Sequence, residues 1–103
     1  ALLLIIALGI MGPVAEEVVF RLVPISLTEK KSKMIIVVLV TAVLFMLVHI
    51  HAFTVEEFLY NLPHFVTGLV YGIVMVLSRN VTIPILLHIM NNLPAMVVAT
   101  LFL

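Results

Sequence analysis

Apolar run length constrains this chain more than any other feature of it. Three stretches, roughly 34 to 53, 59 to 77 and 81 to 103, are each long enough for the ~20 apolar residues that a spanning helix needs. Residues 1 to 25 supply a fourth, interrupted one. With 65% hydrophobic residues, 10% charged and a mean hydropathy of +1.42, the chain lies far outside the range of a soluble domain. The expected fold class is all-α: a polytopic transmembrane helix bundle with about four spanning helices.

The chain starts at Ala1 without an initiator Met and ends mid-pattern at Leu101-Phe102-Leu103, so one domain over 1–103, a fragment of a longer membrane protein, is expected. The opening apolar run lacks the basic flank of a signal peptide. Its interruption, Gly9-Ile10-Met11-Gly12-Pro13, predicts a fresh helical start near Pro13, because proline lacks an N–H and clashes with the preceding turn. The connection at 26 to 33 carries Lys30, Lys31 and Lys33, and the one at 78 to 80 carries Arg79. The connection at 52 to 58 has no Lys or Arg. In a four-span reading the first and third connections share a side, giving four basic residues against none, and the positive-inside rule puts that side in the cytoplasm.

Several chemistries are excluded within the segment. There is no cysteine for a disulfide, thiolate site or nucleophile. Glu16, Glu17, Glu29, Glu56 and Glu57 are all the acids, so an aspartyl dyad is absent. No serine sits in a Gly-x-Ser-x-Gly elbow, and no His-Glu-x-x-His zinc signature occurs. Neutral net charge with scattered Lys and Arg leaves no footprint for nucleic acid.

Against this background "GPVAEEVVFR", Gly12 to Arg21, is anomalous. Each intramembrane charge costs roughly 2.5–3.5 kcal/mol on insertion scales, and such groups usually face the bundle interior and mark function. On a helix Arg21 lies about 40° around from Glu17 but about 140° from Glu16, so Arg21 should pair with Glu17. Glu16 is then an unpaired carboxylate on the face of Phe20, available as a general base. The alternative is that both glutamates merely complement a helix N-terminal dipole. A second pair, Glu56-Glu57, follows Thr54 in the pattern of a capping box and reads as structural.

His49 shares a face with Phe45 in "FMLVHIHAF", whereas His51 points about 200° away. Alone, His49 also fits an interfacial histidine bonded to a carbonyl. In the last span His88 has Asn91 and Asn92 at i+3 and i+4, a polar group that serves either chemistry or interhelical bonding. His64 has no obvious partner. By helix rise His49 falls ~22 Å into its span and His88 only ~10 Å into its own, a mismatch unless boundaries shift or helices tilt.

These residues resemble the motifs of the CAAX prenyl endopeptidase and bacteriocin-processing family of intramembrane proteases, known as CPBP or Abi. Glu-Glu-x-x-x-Arg matches Glu16, Glu17 and Arg21; Phe-x-x-x-His matches Phe45 and His49; His-x-x-x-Asn matches His88 and Asn92. Leu22 departs from the glycine that commonly follows the motif arginine. The resemblance implies a catalytic set of Glu16, Glu17, Arg21, His49, His88 and Asn92 in a site between helices. Glu16 would activate water, His49 help to hold it, and His88 with Asn92 steady the oxyanion. The family is often described as metalloproteases, and Glu with neutral His suits zinc. Asn92 is a poor zinc ligand and a good oxyanion donor, which tilts the reading toward a metal-free glutamate mechanism.

Two functions follow. One is an intramembrane endopeptidase cutting a peptide bond in a membrane-associated protein or peptide. The other is a non-catalytic immunity or scaffold protein that keeps the fold. Both are multi-pass proteins whose partner is the lipid bilayer, in the cell membrane if the source is bacterial, and neither binds nucleic acid.

Overall fold

A computed structural model describes residues 2–102, and every regular element among them is a helix. The first helix, α1 (Leu2–Ser26), runs without interruption. Two widened π-turns, Ala7–Met11 and Val18–Leu22, lie within it. Each leads directly into a residue that precedes a proline: the Gly12 N–H bonds to the Ala7 carbonyl before Pro13, and the Val23 N–H bonds to the Val18 carbonyl before Pro24. A local widening of the ladder lets a helix carry a proline without stopping. The restart expected at Pro13 is therefore absent.

Four helices follow: α2 (Lys31–Leu47), α3 (Val55–Tyr60), α4 (Leu62–Ser78) and α5 (Thr82–Phe102). Three helical stretches are long and apolar enough to cross a membrane: Leu2–Ser26, Val55–Ser78 across the turn at Asn61, and Thr82–Phe102. The expected span over 34 to 53 is instead α2, 17 residues that end at Leu47. That length is at the short limit for crossing. The expected count of about four is thus three clear spans and one short helix.

Helices α2 and α4 pack antiparallel, with Gly68 against Ala42 and Gly72 against Val38. A Cβ on Gly68 would stand 3.1 Å from Ala42 Cα, and one on Gly72 would stand 2.9 Å from Val38 Cγ1. Small residues here allow the close backbone approach on which helix association in lipid depends. Ile25, Val38 and Met75 form the apolar core at one end, with Met34, Leu69 and Val81 packed on it. Val81 in the last connection joins this core, and farther along the bundle the Phe45 ring stands 4.8 Å from His49 and 5.8 Å from His88, so the expected depth mismatch between the two histidines is absent. Glu29, Lys31 and Arg79 line one cavity, so the first and third connections share an end, as helices alternating in direction require.

The described chain measures 46 × 33 × 15 Å, a slab little thicker than one helix. Large apolar side chains such as Leu3, Ile35, Leu77 and Met90 are exposed, while Glu17, Arg21, Thr41, Asn61 and His88 are buried. This inside-out distribution suits lipid as the surrounding solvent.

Candidate active site

Glu17 and Arg21 are 0% and 1% exposed, and Arg21 Nη1 donates to Glu17 Oε2 at 2.9 Å. This is the pair that helical spacing predicts. The guanidinium carbon also lies 4.5 Å from the Phe45 ring centroid and 5.5 Å from that of Tyr71, both within cation–π range. A Cβ on Gly68 would stand 3.3 Å from Arg21 Nη2, so glycine there makes room for the buried cation. Arg21 Nε and Nη2 have no hydrogen-bond partner; aromatic faces cover the group instead.

Glu17 does more than neutralise Arg21. From α5, His88 Nδ1 donates to the same Oε2 at 2.9 Å. One carboxylate oxygen thus ties α1 to α5 and orients the imidazole, much as a carboxylate fixes the ring of a metal-bound or catalytic histidine. The other edge of the buried His88 ring, Nε2, lies 3.7 Å from Glu16 Oε2, beyond hydrogen-bond range. The Glu16 side chain is 33% exposed, yet its Oε2 is buried and has no hydrogen-bond partner. Two adjacent glutamates therefore sit on either side of one imidazole: Glu17 is held through Oε2 by two donors while its buried Oε1 has none, and Glu16 is held at Oε2 by no donor.

His49 lies past the end of α2, in a turn. Its Nδ1 must carry the proton, because it donates to the Phe45 carbonyl at 2.6 Å. A neutral ring then keeps a lone pair on Nε2. Phe45 is the hub of the site: its ring stands edge-on to Phe20 at 5.4 Å, His49 at 4.8 Å, His64 at 5.9 Å and His88 at 5.8 Å. A cavity of about 100 Å³ is lined by Phe45, His49, His64, His88, Asn91 and Asn92. That is room for a few water molecules. Asn92 is half-buried and its Oδ1 accepts from Asn91 Nδ2 at 3.4 Å, which leaves its own N–H groups to donate.

The structure brings Glu16, Glu17, Arg21 and His88 into one cluster, with His49 and Asn92 joining His88 around the cavity. His51 is exposed and outside it. Two residues here were not legible as site residues. His64 stacks on His49, with ring centroids 3.9 Å apart and planes at 15°. Tyr71 stacks on His88 at 5.2 Å and 27°. Their signal was the spacing of His64, Gly68, Tyr71, Gly72 and Met75, one stripe along α4.

Among the described residues no three or more His or carboxylate groups converge where they would hold a metal ion. The Arg21 guanidinium also sits on Glu17, where a second cation would be repelled.

A helical membrane protein with imidazoles and amides on a small cavity, and two glutamates beside one of those imidazoles, has the groups that hydrolysis inside a membrane needs. The sequence profile described as type II CAAX prenyl endopeptidase Rce1-like matches residues 1–94. The chain belongs to this family, and with it to the membrane proteases that act on protein substrates. No curated protein and no solved structure matches it.

Proposed function

We propose that the chain is an intramembrane endopeptidase in which Glu16 activates water without a metal ion. The observation that carries this reading is the division between the glutamates: Arg21 and His88 both bind Glu17 through Oε2, leaving only its Oε1 without a partner, whereas Glu16 receives neither bond and its buried Oε2 stands 3.7 Å from His88 Nε2. Glu16 accepts a proton from water as the water oxygen attacks the scissile carbonyl carbon, and the carbonyl oxygen becomes an oxyanion. His49 Nε2 accepts from the same water and aligns it. His88 and Asn92 donate to the oxyanion. With Nδ1 committed to Glu17, His88 serves only when Nε2 is protonated as well, and the two glutamates supply the counter-charge for that form. As the C–N bond breaks, the proton on Glu16 passes to the leaving amine. Each preorganised oxyanion donor contributes about 3–4 kcal/mol to the transition state in sites of this kind.

The family description makes a prenylated CAAX segment the first substrate to test. Purified protein in liposomes should cleave such a peptide and keep doing so after exhaustive chelation. Loss of cleavage on chelation, restored by one divalent metal such as zinc, would replace the glutamate mechanism with a metal-dependent one.

A further inference from the structure

Neither His64 nor any other residue of α4 belongs to the catalytic set proposed above, yet α4 lies beneath both catalytic imidazoles. His64 stacks on His49 at 3.9 Å, and seven residues along the same helix Tyr71 stacks on His88 at 5.2 Å. Residues two turns apart share a helix face, so one face of α4 supplies a flat platform for each ring.

The two imidazoles need a platform to different degrees. His88 is on a helix, buried, and bonded to Glu17. His49 is in a turn beyond the last residue of α2 and only half-buried, and its ring makes a single hydrogen bond, to the Phe45 carbonyl. One bond at Nδ1 leaves the ring free to pivot about it and to sweep Nε2 away from a bound water. A parallel ring at 3.9 Å blocks that motion. We propose that His64 is a positioning residue for His49, holding its ring by stacking so that Nε2 keeps a fixed place in the cavity.

His64 is itself well held. It sits in the first turn of α4, directly after Pro63, where its N–H bonds to the Asn61 carbonyl at 3.0 Å and its carbonyl accepts from Thr67 Oγ1 at 3.1 Å. Asn61 is buried and bonds through Nδ2 to the Glu57 carbonyl at 2.8 Å. Phe45 stands edge-on to both histidines, so three rings form one packed group. A group whose partners are themselves fixed is what catalytic positioning requires.

This inference rests on the catalytic reading of His49, and its test has a readout that does not. His64→Phe keeps a flat ring without the imidazole nitrogens; His64→Leu keeps apolar bulk without the flat face; His64→Ala removes both. Cleavage of the prenylated peptide should fall about 10- to 100-fold in kcat for the Leu and Ala variants, with KM nearly unchanged, a scale set by small misplacements of reacting groups. His64→Phe should restore most of the rate. Nitrogen-15 NMR of the His49 ring, in detergent and without substrate, should show one Nδ1–H tautomer in the native protein and in His64→Phe, and averaged or broadened signals in His64→Leu. Failure of the native protein to cleave at all would refute the proposed function while the NMR comparison still decides the stacking role. Wild-type kcat in His64→Leu, a His64→Phe rate as low as that of His64→Ala, or unchanged His49 signals in His64→Leu would overturn the proposal.

Discussion

The chain contains the dipeptide Glu-Glu twice, and the two copies lead opposite lives. Glu56 and Glu57 lie in the first turn of α3, Glu56 exposed and Glu57 half-buried. The Glu57 N–H bonds to Thr54 Oγ1 at 3.1 Å, and Glu57 Oε1 accepts from the His51 N–H at 3.1 Å and from Asn61 Nδ2 at 3.2 Å. That is half of the expected capping box, with the carboxylate turned to the preceding loop instead of the cap's own N–H. Glu16 and Glu17 lie inside α1, where Glu17 is fully buried on Arg21 and His88. The acceptor that Glu57 supplies is a single oxygen, Oε1, which an amide supplies as well, and Glu56 is open to solvent. In the interior each donor is counted: Glu17 takes both available donors on Oε2, and Glu16 Oε2 and Glu17 Oε1 are buried with none.

The widest gap between the pairs should appear on neutralisation. Glu17→Gln leaves the buried Arg21 guanidinium without its counter-charge and weakens the hold on His88, a loss of roughly 3–5 kcal/mol when a buried pair is broken from one side. Thermal unfolding in detergent should show a large drop or no folded protein. Adding Arg21→Met should recover part of it, since removing both charges is far less costly than removing one. A single Glu17→Gln variant as stable as the native protein would mean that the pair is not buried as described.

The floor beneath that pair offers a smaller effect. Gly68→Ala places a Cβ 3.1 Å from Ala42 Cα and 3.3 Å from Arg21 Nη2, so α2 and α4 must part or the guanidinium must shift. The expected loss is about 1–3 kcal/mol, typical of an overpacked core, with cleavage reduced alongside stability. An undisturbed Gly68→Ala would show that the two helices stand further apart.

Smallest of all should be changes at the surface pair. Thr54→Ala removes the cap acceptor and should cost about 1 kcal/mol, and Glu57→Gln, which keeps an acceptor oxygen, less than that. Both should cleave at the native rate. A marked loss of cleavage in either variant, at unchanged stability, would erase the contrast between the pairs.

How much of this was readable beforehand follows from the reach of each contact along the chain. Arg21 with Glu17 and Thr54 with Glu57 are three or four residues apart, and helical spacing alone finds them. The shared end of the first and third connections follows from counting helices. The bond from Glu17 to His88 crosses 71 residues and depends on which face of α5 docks on α1, which local periodicity cannot specify. His64 has the same explanation: its stripe on α4 is visible in the sequence, but the ring it meets belongs to a turn beyond α2. The helical restart at Pro13 failed for another reason. Proline breaks a strictly α-helical ladder, but the chain widens the turn before it.

The proposed chemistry depends most on Glu16, the glutamate that neither Arg21 nor His88 binds. Glu16→Gln is isosteric and takes nothing from Arg21, so the protein should insert and unfold at the native temperature while losing the base that activates water. The decisive measurement is cleavage of a prenylated CAAX peptide by this variant in liposomes, beside its thermal unfolding in detergent. A folded protein with cleavage reduced at least about 100-fold, within the range that general-base catalysis contributes, is the expected result. Substantial cleavage by a well-folded Glu16→Gln variant would remove Glu16 as the base and contradict the mechanism.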